Sequence, residues 1–228
     1  MTSTSTATLV ARDWAEIQER MLVPLYEAVY ERLEAGPGDR LLGPACGTGL
    51  ALLLAASRGV RATGVEEDPA RRALARERAL AVRAEPPEPA EAGAGYDVLA
   101  AFSPAGVDAV PDALPLVRRG GAVVVAGWGP AERCTVPSVL GGGPAPQDLD
   151  AVVEGVGLRP EGSGRVFCPF GYADAHSAVR GLASTGLYDL SDPVQAEKEL
   201  AEALHPYGRP DGSVWLPNVF RYVIARVP

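Results

Sequence analysis

A nine-residue turn and one carboxylate carry the clearest chemistry in this sequence. Leu41-Leu42-Gly43-Pro44-Ala45-Cys46-Gly47-Thr48-Gly49 runs from an apolar strand into a glycine-rich turn and on into a helix. Glycines at 47 and 49 let backbone approach a bound group without interference from a Cβ. The helix that follows offers free N–H donors at its first turn. Glu66 closes the next apolar stretch, where a carboxylate can accept both hydroxyls of a ribose. Donors on one side and a ribose acceptor on the other make a site for a nucleotide-type cofactor. The competing readings are a ligand-free tight turn at Gly47 and Gly49, and a solvated or helix-capping role for Glu66 beside Asp68.

Other reactive side chains are few. Cys46 lies in the turn, but no histidine is near it in sequence, so a nucleophilic role lacks its base. Cys46, Cys134 and Cys168 form no CxxC pair and read as reduced thiols of a cytoplasmic protein. His176 and His205 are the two histidines, and their separation argues against a metal site. His205 is the candidate general base, with a helix-terminal cation as the alternative.

These groups need a frame, and the chain supplies a regular one. Residues 12–34 repeat apolar side chains at spacings of three and four, through Trp14, Ile17, Met21, Leu25 and Ala28, and predict a helix that Pro24 splits in two. Strands follow at 40–42, 60–65, 80–83 and 96–102, with helices at 50–57 and 68–79 between them. Asp68-Pro69 is an N-cap followed by a first-turn proline. An irregular helix is expected at 108–118. Gly121 to Gly127 contains three successive valines and reads as a buried central strand. Strands alternating with helices imply a mostly parallel sheet. Beyond Trp128 come a loop-rich stretch at 129–146, a helix at 147–155, a strand at 164–170, helices at 173–185 and 192–204, and a closing strand at 218–227.

The chain has 228 residues, which suits one large domain. No apolar run approaches the roughly 20 residues that span a bilayer. Residues 1–8 are rich in Ser and Thr and read as a frayed tail, not a signal peptide. A net charge of −8 disfavours nucleic acid, which needs clustered Lys and Arg. Lys198 is the only lysine, and the Arg, Ala, Gly and Pro bias points to a GC-rich bacterial genome.

Taken together, these residues resemble the class I S-adenosylmethionine-dependent methyltransferases over about 11–228. Ala11-Arg12-Asp13-Trp14-Ala15 with Pro24-Leu25-Tyr26 looks like the N-terminal helical cap of small bacterial members. Leu116-Val117-Arg118-Arg119-Gly120-Gly121 looks like the family's turn before strand five, and 218–222 like its closing strand. The resemblance implies an α/β fold, Rossmann-like, with a seven-stranded mostly parallel sheet and an antiparallel last strand. It forms a single domain over 1–228, with a cap at 10–36, a cofactor-binding core at 39–128 and a helical insertion at 171–206. It implies S-adenosyl-L-methionine as cofactor, held by Ala45, Cys46, Gly47, Gly49, Glu66, Glu67, Phe102 and Ser103. Trp14, Tyr26, Trp128 and Tyr172 are the expected substrate-pocket residues.

The family's first motif usually reads E/D-x-G-x-G-x-G. Here Gly43 stands in place of the acid and Ala45 in place of the first glycine. By the resemblance, that acid organises the turn and the amino end of the methionine moiety. Glu85 is a candidate for the carboxylate that family members set beside adenine. The implied activity is methyl transfer to a small molecule, by a monomer or homodimer with no nucleic-acid, membrane or metal partner. The alternative is a methyltransferase-like protein without methyl transfer, either a binding or scaffolding subunit or an enzyme that reuses the pocket for cyclisation or rearrangement. A nicotinamide-dependent oxidoreductase fits less well, because the G-x-G-x-x-G spacing is not met.

Overall fold

The computed structural model describes residues 2–88, 93, 95–141, 147–187 and 192–228. The chain opens with α1 (Thr2–Asp13), one π-helical turn (Trp14–Gln18), one 3₁₀ turn (Glu19–Leu22) and α2 (Val23–Arg32). Pro24 sits in the first turn of α2, where its missing N–H has no helical partner to lose. Residues 2–8 are helical and not a frayed tail: α1 lies against neighbouring helices, and tertiary contact outweighs the poor helix propensity of its Thr and Ser residues.

Alternating elements follow: β1 (Arg40–Gly43), α3 (Leu50–Ser57), β2 (Arg61–Val65), α4 (Pro69–Glu77), β3 (Ala81–Arg83), β4 (Tyr96–Ala101), α5 (Pro104–Asp108), α6 (Val110–Ala113) and β5 (Val117–Trp128). Asp68 caps α4 by accepting from the Arg71 N–H at 2.8 Å, with Pro69 in the first turn. The irregular helix expected at 108–118 is two short helices and a 3₁₀ turn, because Pro104, Pro111 and Pro115 each interrupt the helical ladder. Then come α7 (Thr135–Val139), α8 (Leu149–Gly155), β6 (Pro160–Phe167), β7 (Phe170–Tyr172), α9 (Ala175–Ala183), α10 (Pro193–Leu204), β8 (Val214–Leu216) and β9 (Val219–Arg226). The single strand expected at 164–170 is therefore two, and β7 pairs with β8 in a small separate sheet. The Gly142–Pro146 part of the glycine-rich loop lies outside the described residues.

The main sheet has seven strands in the order β3-β2-β1-β4-β5-β9-β6. Strands β1 to β5 run parallel, and β9 is antiparallel to both β5 and β6. Residues alternate between faces along β5. Ala122, Val124 and Ala126 join the core beneath α2 and α3, while Val123 and Val125 join a second core against α5, α6 and α8. Burial on both faces explains why β5 reads as an unbroken apolar run. Strand order reverses between β1 and β4, so the ligand crevice of this architecture falls where the Gly43–Gly49 turn meets Phe102 and Ser103.

Candidate functional site

The turn after β1 is tied down from three sides. Cys46 N–H donates to the Val65 carbonyl at 3.0 Å, joining the turn to the end of β2. Glu66, buried at the tip of β2, accepts from Gly47 N–H at 2.7 Å and from Asp68 N–H at 3.0 Å. Ser103 caps α5 by accepting from Gly106 N–H and donates its hydroxyl to the Ala45 carbonyl at 3.3 Å. Ala45 holds φ +44° and Gly47 φ +61°. Ala45 thus takes a left-handed conformation that glycine reaches more readily. Gly49 has φ +86°, and a Cβ there would lie 2.5 Å from the Leu80 Cδ1. Only glycine suits that position.

Gly43 explains the missing acid. A Cβ at this position would stand 2.9 Å from Leu52 Cδ2, so any side chain here requires the Leu52 side chain of α3 to shift. A carboxylate instead reaches the turn from the cap. Glu19, 2% exposed, accepts from the Thr48 hydroxyl at 2.7 Å, from Leu50 N–H at 3.1 Å and from Arg78 at 2.8 Å. It thereby caps α3, whose N-cap residue Gly49 has no side chain for the purpose.

A cavity of about 340 Å³ opens over the turn. One end is polar, formed by Glu19, Glu66, the turn and Trp14. The Trp14 indole Nε1 is buried without a hydrogen-bond partner among the described residues, and lies 3.2 Å from where a Gly47 Cβ would be. Arg71 stacks over the same indole at 5.3 Å. The other end is aromatic. Phe102 meets Tyr26 and Tyr30 edge-on at 4.8 and 6.0 Å, and Trp128 lies 4.5 Å from Phe220 and 5.9 Å from Phe170. Burial raises the Tyr26 hydroxyl well above its ordinary pKa, and the Glu19 carboxylate adds to this. Burial also raises Tyr30, although its hydroxyl donates to the Ala51 carbonyl at 2.9 Å. Burial, then Glu66 and Glu19, push the Cys46 thiol up to about 12, so it stays protonated at neutral pH.

Neither a protein-family model nor a curated protein matches the sequence. Solved structures do. A methyltransferase from Thiobacillus denitrificans in complex with S-adenosyl-L-homocysteine is 15% identical, with 88% of this chain and 90% of that one covered at a TM-score of 0.53. A methyltransferase from Geobacter sulfurreducens, also with S-adenosyl-L-homocysteine, is 17% identical over 92% of each chain at 0.52. The [4+2]-cyclase SpnF is 19% identical, with 90% and 80% covered at 0.54. The chain has the class I S-adenosylmethionine-dependent methyltransferase fold. Strand order and the antiparallel last strand agree with it.

Within this methyltransferase fold, the expected residues divide. Ala45, Cys46, Gly47, Glu66, Phe102, Ser103, Trp14, Tyr26 and Trp128 all line the cavity. Gly49 stands behind it, packed on α4. Glu67 is exposed at side-chain level and only its carbonyl is engaged, by Arg72. Tyr172 does not itself line the cavity: it is buried beside α9 and donates its hydroxyl at 2.8 Å to Gln18, which does. His205 is exposed in a 3₁₀ turn after α10 and does not border the cavity. Glu85 is exposed after β3 and does not border it either. Glu19, Gln18, Tyr30 and Arg71 line the cavity without having been singled out by sequence. A signal was present. Trp14, Gln18, Leu22, Tyr26 and Tyr30 repeat every fourth residue and all face the cavity. In a straight α-helix such a row drifts by about 40° per step. The π-helical turn at Trp14–Gln18 widens the helix where the row begins.

Proposed function

We propose that this cavity binds S-adenosyl-L-methionine and that the chain transfers the methyl group to a small-molecule acceptor, as a cytoplasmic monomer or homodimer without nucleic-acid or membrane partners. The observation that carries the reading is the Glu66 carboxylate joined to Gly47 N–H at the switch point of the sheet. A carboxylate offers about four acceptor positions. Two are engaged, which leaves two for ribose hydroxyls. The residues fit the cofactor: an unpartnered indole N–H, two carboxylates and a wall of aromatic faces suit a molecule with oxygen acceptors and positive charge.

The cofactor would supply an electrophilic methyl on a sulfonium that is already a good leaving group. The protein's part is orientation. Glu66 and the turn would hold the nucleoside end, and Tyr26, Phe102 and Trp128 would present the acceptor in line and exclude water. Neither Cys46 nor the cavity tyrosines can serve as a base at neutral pH, given their raised pKa values. A weakly acidic acceptor would lose its proton to solvent or to one of the cavity carboxylates, Glu19 or Glu66. Calorimetric titration of S-adenosylhomocysteine into the chain should saturate at one site. No heat and no thermal shift at millimolar ligand would refute the reading.

A second reading keeps the pocket and drops methyl transfer. The likeness to a [4+2]-cyclase and the aromatic, base-free far wall favour cyclisation or rearrangement of a bound molecule. Product mass separates the two: transfer adds a methyl group, whereas rearrangement leaves the acceptor's mass unchanged.

A further inference from the structure

Glu19 is the second buried carboxylate of the cavity, beside Glu66. It sits in the 3₁₀ turn between α1 and α2 and is 2% exposed. Its Oε2 is fully engaged, accepting from the Thr48 hydroxyl and from Arg78. Its Oε1 accepts one bond, from Leu50 N–H at 3.1 Å. Each carboxylate oxygen can accept two. One acceptor position on Oε1 is therefore open.

Thr48 and Arg78 do not border the cavity, whereas Glu19 does. Oε1 lies 3.6 Å from where a Gly47 Cβ would be, over the turn itself. Burial first, then Glu19, raises the Tyr26 hydroxyl, and burial, then Glu66 and Glu19, raises the Cys46 thiol. An open acceptor on a buried anion favours a donor that carries positive charge.

We propose that Glu19 Oε1 binds the primary ammonium of the ligand's amino-acid end, so that the cap, and not the strand end, supplies the carboxylate for this group. The proposal rests on the cofactor reading above. It makes ligand binding and cap position one event, because the same side chain holds the cap to Thr48, Leu50 and Arg78.

The test is calorimetric titration of the full chain, wild type and Glu19→Gln. Three ligands are used: S-adenosylhomocysteine, its deaminated analogue that keeps the carboxylate, and 5′-methylthioadenosine, which lacks the amino-acid end. The wild type should prefer S-adenosylhomocysteine over the deaminated analogue by roughly 10- to 100-fold, the range for a hydrogen bond to a charged group. In Glu19→Gln the ratio of affinities for S-adenosylhomocysteine and its deaminated analogue should collapse to within about threefold, whatever loss is common to all three ligands. A merely structural Glu19 would weaken all three ligands alike, and that result overturns the proposal. Should Glu19→Gln not fold, the wild type decides alone: equal affinity for S-adenosylhomocysteine and its deaminated analogue overturns it. If S-adenosylhomocysteine and 5′-methylthioadenosine both fail to bind the wild type, the cofactor reading falls and takes this proposal with it. Binding without ammonium selectivity removes only the assignment of Glu19.

Discussion

Restoring the absent acid by Gly43→Asp should damage the protein instead of improving it. The new Cβ would lie 2.9 Å from Leu52 Cδ2 and 3.7 Å from Cys46 Cβ. Leu52 is 1% exposed and packed in the core under α3, so its side chain has to shift to make room. Overpacking of this kind costs about 1–3 kcal/mol. In a chain of this size each kcal/mol moves Tm by about 2–4 °C, so a fall of about 2–12 °C is expected in a thermal scan. The new carboxylate would also enter a region that already holds Glu19 and Glu66, which adds to the cost. A double-mutant cycle with Leu52→Ala isolates the clash. Leu52→Ala alone costs about 2–5 kcal/mol through the cavity it leaves. The double variant should be more stable than the sum of the singles by about 0.5–3 kcal/mol, because each change relieves the other. If Gly43→Asp melts at the wild-type temperature and binds S-adenosylhomocysteine more tightly, Leu52 does not occupy the acid's place and the packing argument is wrong.

Three further outcomes follow from the same geometry. Glu66→Ala removes the acceptor for both Gly47 N–H and Asp68 N–H, which should cost about 2–4 kcal/mol and lower Tm by about 4–16 °C, with S-adenosylhomocysteine affinity falling at least tenfold by titration. Burial raises the Asp97 carboxyl, but its bonds to Arg118 and to Arg40 N–H outweigh this and leave its pKa lowered. A depressed folded pKa stabilises above the unfolded value near 3.9 and loses that contribution as pH falls through the folded one. Because Arg118 is about half exposed, Asp97→Asn should lose only about 0.5–1 kcal/mol at pH 7, and chemical denaturation should show the gap closing below about pH 4. Cys46 should alkylate with iodoacetamide at pH 8 about a thousandfold more slowly in the native chain than in urea, since its thiol titrates near 12 and not 9; rapid native labelling mapped to Cys46 by mass spectrometry would contradict its burial.

The sheet was legible because its signals are local. Runs such as Val123-Val124-Val125, and Asp68-Pro69 opening α4, specify their elements from residues adjacent in the chain. The small β7–β8 sheet was not, since strands of three residues are too short to show a period, and they pair across more than forty intervening positions. The same distinction runs through the site. Gly47, Glu66, Phe102 and Ser103 follow from being at strand ends, and strand ends can be read. Glu19 has its meaning only through Thr48, Leu50 and Arg78, which lie 29 to 59 positions away. Within its own helix it looks like one more surface charge.

That non-local contact changes what the altered turn means. Read along the chain, Gly43 is a lost carboxylate and the turn looks degenerate. Read in space, several of the turn's hydrogen-bond donors have partners. Glu66 takes Gly47 N–H, Glu19 takes Leu50 N–H and the Thr48 hydroxyl, and Leu52 closes the gap at Gly43. Decay would leave an unfilled space or an unpaired backbone donor at Gly43, and a buried gap of that kind is costly. The space is instead packed and the charge is supplied from the cap. On the proposed reading, Glu19 of the cap does what a carboxylate at the strand end would do, and the cap then belongs to the ligand site.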